Sequence, residues 1–504
     1  MSYRAAFAFL PALLVACQPP DVDTGPVDFV QDIRIDGAET SSVDPESDEL
    51  EMCVNDDGHI FTVWVDNRDG AYAVWFNRST DNGNSWFTSP LRINRANANV
   101  HSPAIACSKD NVYVVWVDSR DGDTQKGQIY FSRSNDGGET WLATDVLLED
   151  DDDGYTESLQ PAITAIGPYV HVAWNDQAFG SPDIFVASSD DFGQRWRLSK
   201  SIDVAPNEPR GEASSTEPVI AANAQGAIFV AWVDRRNGGG DIYFNRSDNA
   251  GGSWRIPVKL DVGDPIPLDG ATYTTDSMHP TISADGMNVY VAWADLRNGT
   301  NKDIFVNYSA NGGQNWLTED VRLDTDNPGF FNSIKPRMVV QKGKAHVVWQ
   351  DNRYEGYDVY LRTLEGGVPV GDEEVRVDAG DTQGHNNSEN PVIGIGEDGR
   401  IAVAWEDYRG EASIGRDNGY TDLYYNFDLG TGFLAEDDLR IDAMMPGESW
   451  KTQLKIAVYG GWLYSSWVDG RNGNADIYFR AIEIGSETVI DDMGIATVRS
   501  VLED

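Results

Sequence analysis

Histidine and cysteine are rare in this chain of 504 residues, at six and three, and they form no cluster with metal-ligand spacing. Basic residues are also in deficit: 38 Lys and Arg stand against 82 Asp and Glu, a formal charge of -44. A surface of that sign repels phosphate backbones and anionic bilayers, so nucleic acid is not expected as a partner. A glycine-rich phosphate loop with its lysine is missing, and so is helix-period patterning. The apolar run from Ala5 to Ala16 is too short to span a membrane permanently.

What is present is repetition. A Trp-x-Asp core recurs at Trp64, Trp116, Trp174, Trp232, Trp293, Trp349, Trp405 and Trp467, with spacings of 52 to 62 residues. A long, nearly fixed period marks a solenoid, propeller or array. Each period reads as four short extended segments separated by turn residues. A Ser-x-x-Pro segment such as Ser215 to Pro218 comes first, then an apolar run ending in the Trp, a DIYF-like run, and an Arg-apolar-Asp segment such as Arg322 to Asp324. The second segments are apolar on both faces, as in a sheet packed between two neighbours. An all-β propeller of four-stranded antiparallel blades is therefore expected. The fourth segment is read at Leu91 to Asn94, Val146 to Glu149, Ser201 to Asp203, Val258 to Asp261, Val321 to Asp324, Val375 to Asp378 and Leu439 to Asp442. None follows the last DIYF run, but Ile33-Arg34-Ile35-Asp36 precedes the first repeat. Eight blades follow, with seven as the competing count and the ring closed by an N-terminal outer strand, which removes the free edges.

Between third and fourth segments lies Ser79-Thr80-Asp81-Asn82-Gly83-Asn84-Ser85-Trp86, and again Ser134 to Trp141. These resemble the Asp box, or neuraminidase repeat, of the sialidase superfamily. Three further copies are altered, with Arg195 in the hydroxyl position of Ser189 to Trp196, and Asn249 and Asn311 for Asp in Ser247 to Trp254 and Ser309 to Trp316. The resemblance covers most of the chain and implies a propeller whose box turns are scaffold, with the active face opposite. Sialidases hold a carboxylate with an arginine trio and use a Tyr nucleophile assisted by Glu. By that likeness Tyr420 with Glu411, or Tyr273 with Glu217, are the candidate catalytic pairs. Family sialidases have six blades and an early Arg-Ile-Pro motif; the copy here, Arg255-Ile256-Pro257, directly follows a box turn and reads as coincidence.

Arg68, Arg120, Arg236, Arg297, Arg353, Arg409 and Arg471 follow the Trp-x-Asp cores, with Ala178 breaking the series. Each has an Asp two residues before it, so local ion pairs bracing the loops are expected. A ligand site should instead break the repeat. Gln160, Glu217, His279, Lys335 and Asn390, just before the first-segment Pro, vary between blades, with Trp450 and Lys451 near the corresponding place in the last. They should ring the channel mouth, flanked by enlarged loops at 262–276, with Tyr273, and 410–421, with Glu411, Arg416 and Tyr420. His279 reads as a hydrogen-bonding residue, not a zinc ligand. No cofactor is expected; the acidic run Asp150, Asp151, Asp152, Asp153 leaves Ca²⁺ open, though it lacks the alternating spacing of an EF-hand. Cys53 and Cys107 read equally as a disulfide or as two buried thiols.

At the N-terminus Arg4, the apolar run and Leu14-Val15-Ala16-Cys17 resemble the signal peptide and lipobox of bacterial lipoproteins. That likeness implies a signal peptide at 1–16, a lipidated Cys17 with a tether to 28, a propeller over 29–484 and a tail at 485–504. Gln18 implies sorting to the outer membrane or cell surface. The reading is a monomeric propeller in the bacterial cell envelope. It touches the bilayer only through its anchor and binds glycans or a cell-surface protein. An exo-α-sialidase or related glycoside hydrolase with a diverged site, and a structural or protein-interaction scaffold, are the alternatives.

Overall fold

The computed structural model describes residues 31–37, 46–120, 127–149, 157–198, 201–204, 209–263, 275–409, 420–430, 432–434 and 438–484, with the backbone of Ser486–Ile490 and Ala496–Ser500. Eight antiparallel sheets of four strands follow one another, the sixth with an extra two-residue strand, Val368–Pro369. We number them as blades 1 to 8. Their innermost strands are Ser47–Val54, Val100–Ser108, Ser158–Ile166, Ser215–Ala222, Ser277–Asp285, Ser333–Gln341, Ser388–Ile395 and Lys451–Tyr459. Each packs beside the next, and the last packs beside the first, so the array is a closed eight-bladed propeller around a central channel. Ser486–Ile490 and Ala496–Ser500 pair as a separate hairpin.

The second strands explain the packing. Ile60–Asp66, Ile228–Asp234 and Ile401–Asp407 are buried along their whole length, as strands covered on both faces must be. The core is divided into eight clusters, each lying between two adjacent blades; Phe61, Val63 and Phe76 of blade 1, for example, meet Val112, Val114 and Trp116 of blade 2. All eight tryptophans of the Trp-x-Asp cores are buried. Their indole N–H finds the following Asp where it can, as in Trp293 to Asp295 at 2.9 Å and Trp405 to Asp407 at 2.9 Å.

The ring closes through the N-terminal strand. Ile33–Arg34 pairs with Asp476–Glu483, Ile33 opposite Phe479, and Ile35 N–H donates to the Ile477 carbonyl at 2.9 Å. The same amide-to-carbonyl bond recurs in every blade, from Ile93, Leu148, Ile202, Leu260, Leu323, Val377 and Ile441. In blade 3 the fourth strand itself differs from expectation. It is Arg197–Leu198, paired with Ala187 and Ser188, while among the described residues Ser201 to Asp203 keeps the Ile202 bond. The competing readings of the cysteines resolve to a disulfide: Cys53 and Cys107 join the innermost strands of blades 1 and 2, with Cα atoms 6.2 Å apart.

The turns between third and fourth strands are scaffold. Ser79 Oγ donates to Asp81 at 2.7 Å and accepts Gly83 N–H at 2.8 Å, and Asp81 in turn accepts Ser85 N–H at 2.8 Å. The other four copies repeat the Ser and Asp or Asn contacts. Gly83 has φ +89, and a Cβ there would lie 2.2 Å from the Phe479 ring of the preceding blade, so only glycine fits. Trp86 packs edge-on against the same ring, and Trp141, Trp196 and Trp316 do likewise on Phe76, Phe131 and Phe244. These turns therefore pin neighbouring blades together on the face opposite the channel mouth.

Candidate ligand-binding face

Every innermost strand breaks register near its start, between Asp48 and Glu51 in blade 1 and at the equivalent place in the other seven. One residue in each break takes left-handed backbone angles, with φ between 52 and 55°: Glu49, Ser102, Gln160, Glu217, His279, Lys335, Asn390 and Gln453. None is glycine, although an L-residue there costs roughly 1 kcal/mol. These bulges turn eight polar side chains toward the ring of innermost strands. A following proline occupies six of the positions, and it disfavours a right-handed helical conformation in the residue before it.

Several of these side chains reach across to the next blade. Glu49 accepts the Ser102 N–H, Gln160 accepts the Glu217 N–H at 3.0 Å, and Glu217 accepts the His279 N–H at 2.9 Å. Lys335 donates to Asn390, which donates to buried Glu406 at 2.8 Å, and Gln453 closes the circuit by accepting Leu50 N–H at 2.9 Å. His279 is held below the usual imidazole range, chiefly by burial, while Glu217 pulls the other way. Its Nδ1 has no hydrogen-bond partner. Beneath the ring Lys455 contacts Glu51 at 2.6 Å, and burial depresses Arg337, with Glu51 opposing that shift. Glu49, Glu51, Ser102, Gln160, Gln453 and Lys455 line a cavity of about 580 Å³.

The arginine series is occupied locally. Each of the seven arginines bonds the Asp two residues before it. Each also lies over an aromatic ring, Arg120 at 3.5 Å from Tyr130 and Arg471 at 3.9 Å from Tyr478. Arg120, Arg297, Arg353, Arg409 and Arg471 gain a second acid, in Asp145, Asp320, Glu374, Asp438 and Asp32. In blade 3, where Ala178 stands, the Phe179 ring stacks on Phe185 instead. No arginine trio converges among the described residues. The acids Asp303, Asp324 and Asp326 lie close enough to share a cation, and Arg322 bonds all three.

Of the residues singled out in the sequence, Gln160, Glu217, His279, Lys335 and Asn390 share the ring. Trp450 and Lys451 do not: Gln453 holds the equivalent place, Trp450 packs against the Gly470 turn, and Lys451 is buried beside Asp422 at 3.2 Å. Tyr420 is half-buried next to the third strand of blade 7, Asp422–Asp428. Tyr273, Glu411, Arg416, Asp150, Asp151, Asp152, Asp153 and Cys17 lie outside the described residues. Arg255 bonds Asp248 at 2.7 Å in the turn between third and fourth strands, on the far face. Sequence reasoning missed Ser102, which a Pro does mark, and Glu49 and Gln453, where Leu replaces the Pro. It also missed a set of exposed rings: Tyr72, Phe179 and Phe330 stand on mouth-face loops and Tyr354 ends the second strand of blade 6 on the same face, four of the five exposed aromatic residues described.

No family model matches the chain, and no curated protein matches it either. Among solved structures it is similar to a protein of unknown function from Dyadobacter fermentans, at 15% identity over 68% of this chain and 96% of that one, with a TM-score of 0.37. An α-L-arabinofuranosidase from Fusarium graminearum aligns at 12% identity over 66% and 97% of the two chains, TM-score 0.37. The endosialidase of phage phi92 aligns at 10% identity over 78% and 71%, TM-score 0.38.

Proposed function

We propose that the protein is an exported, lipid-anchored propeller of the bacterial envelope that binds glycans on its mouth face. The observation that carries the reading is that exposed aromatic rings, Tyr72, Phe179, Phe330 and Tyr354, share the mouth face with a ring of carboxylate, amide, imidazole and ammonium groups. Sugars offer apolar C–H faces to stack on flat rings and hydroxyls to exchange hydrogen bonds with such polar groups. The engagement of all seven turn arginines with local acids favours binding over sialidase chemistry, because a substrate carboxylate would have to displace an existing partner.

The test uses soluble protein starting at residue 18, titrated with a mixed sialoglycan pool with and without Ca²⁺. Saturable binding without release of free sialic acid is expected. The exposed-ring variant Phe330→Ala/Tyr354→Ala should weaken it about tenfold, the loss of roughly 1.4 kcal/mol of contact, with an unchanged unfolding midpoint. Release of sialic acid abolished by Tyr420→Phe or Tyr273→Phe would replace this reading with the hydrolase. Neither binding nor release by folded protein would leave the scaffold.

A further inference from the structure

In five blades one cation spans two buried acids at the outer end of the sheet. Arg34 contacts Asp476 at 2.7 Å and Asp36 at 2.6 Å in blade 8, and Lys259 reaches Asp241 at 2.7 Å and Asp261 at 3.7 Å in blade 4. Arg376 lies 3.0 Å from Asp358 and 2.9 Å from Asp378 in blade 6; Arg440 lies 2.8 Å from both Asp422 and Asp442 in blade 7. Arg322 joins Asp303 and Asp324 in blade 5. One acid stands at or near the start of the third strand, the other ends the fourth-strand motif, and the cation sits two residues before the second acid. Blade 1 keeps the cation, Arg92, but has Ala73 and Asn94 in place of the acids, while blade 2 pairs Leu147 with Gln128 and keeps only Glu149. Blade 3 alone retains both acids, Asp183 and Asp203, and has lost the cation, with Ser201 in its position.

The consequence is visible in the packing. Asp183 and Asp203 are each 1% exposed. Asp183 Oδ1 accepts Gly211 N–H at 3.0 Å, but Asp183 Oδ2, Asp203 Oδ1 and Ser201 Oγ have no hydrogen-bond partner. Both acids line a cavity of about 360 Å³ that also takes in Gly211, Glu212, Ser215 and Arg236, and the Ser215 hydroxyl bonds Asp203. Among the described residues, two cations act on the pair. Arg236 is held by Asp234 at 2.8 Å and by the Asp203 carbonyl, and Arg210 lies over the Phe179 ring at 5.1 Å. Burial and the neighbouring Asp183 push Asp203 up to about 7. Two buried carboxylates with no cation spanning them among the described residues are costly, and the sister blades show what relieves the cost.

We propose that this cavity binds an organic nitrogen cation, the guanidinium or primary ammonium group of a ligand, in the place that Arg or Lys takes between the two acids of the sister blades. N–H donors satisfy carboxylate oxygens directionally, which a bare metal ion does not require, and the sister sites hold nitrogen donors without exception among the five. A divalent ion would call for more oxygens than the two acids supply. The cavity shares no lining residue with the one at the channel mouth, so cation binding is tested separately from glycan binding there.

The experiment is calorimetric titration of the chain from residue 18 with methylguanidinium and with n-butylammonium, at constant ionic strength set by NaCl. Tetramethylammonium, which has no N–H, and Ca²⁺ serve as comparison probes. Saturable binding of one or both N–H cations is expected at pH 8. It should be about tenfold weaker at pH 6, where about a tenth of a group with a pKa of about 7 is charged. The other charged groups facing the pair are Asp176, Asp234, Arg210 and Arg236, with Glu212 in the cavity wall. Asp203→Asn should abolish binding in a protein that stays folded. Ser201→Arg, which restores the sister-blade cation from within, should both abolish binding and raise the unfolding midpoint. Equal binding of tetramethylammonium or preferential binding of Ca²⁺ would overturn the proposal, as would no binding by folded wild-type protein or undiminished binding by Ser201→Arg.

Discussion

Replacing Asp32 by alanine should open the propeller at its seam. Asp32 stands just before the closing strand and faces two guanidiniums, Arg471 at 2.8 Å and Arg480 at 3.3 Å, while accepting the Ala443 N–H at 3.1 Å. Arg480 is 1% exposed at its side chain, so it cannot recover water in exchange for the lost carboxylate. Arg471 keeps Asp469 and loses less. Breaking a buried pair from one side costs about 3–5 kcal/mol. A matched control is Arg255→Ala, whose partner Asp248 and own side chain are 37% and 66% exposed, and which should cost under about 1 kcal/mol. Urea midpoints give the two costs. Hydrogen exchange tells where the first is felt, because the amides of Asp476–Glu483 should lose protection before those of blades 3 to 5. Equal midpoints for the two variants would refute the reasoning, and so would exchange that accelerates uniformly around the ring.

Three other outcomes are expected. The Cys53→Ser/Cys107→Ser variant should lose up to about 4 kcal/mol, the loop-closure entropy for a separation of 54 residues, read as a lower urea midpoint. With a folded-state pKa of about 7 against an ordinary 3.8, Asp203 holds a proton in the native chain that the unfolded chain releases; its contribution is therefore lost as pH rises from about 4 to 7, and Asp203→Asn should raise the unfolding midpoint at pH 8 but not at pH 3. Ser102, at φ 52°, should tolerate Gly with a neutral or slightly raised midpoint, whereas Ser102→Val should cost at least about 1 kcal/mol; equal midpoints would show that the bulge carries no backbone constraint.

The fold was legible because each blade repeats the same solution. The Trp-x-Asp core, the Arg-apolar-Asp segment and the early copy at Ile33 to Asp36 are local patterns that place strands, and the seam follows from one copy lying out of order. Blade 3 is less legible at its outer edge because Ser201 lacks the Arg that marks the segment elsewhere: the strand pairing falls earlier, at Arg197–Leu198, while Ile202 keeps the contact its counterparts make. The mouth was half legible. Proline announces a bulge by restricting the residue before it, so Gln160, Glu217, His279, Lys335 and Asn390 were visible. Leu50 and Leu454 carry no such restriction, and the left-handed angles of Glu49 and Gln453 come from the register of the sheet. The acid pair of blade 3 appears in the sequence only as a serine where a cation belongs; its burial and its cavity require the fold.

The seam joins residues from opposite ends of the chain, Ile33 and Phe479. The first of these leaves the ribosome long before the second, so Ile33–Arg34 can take its place only once Asp476–Glu483 exists. Until Asp476–Glu483 is made, blade 8 presents an incomplete sheet and the growing molecule has two open flanks. Blade 8 is thus the one sheet that neither end of the chain can complete alone.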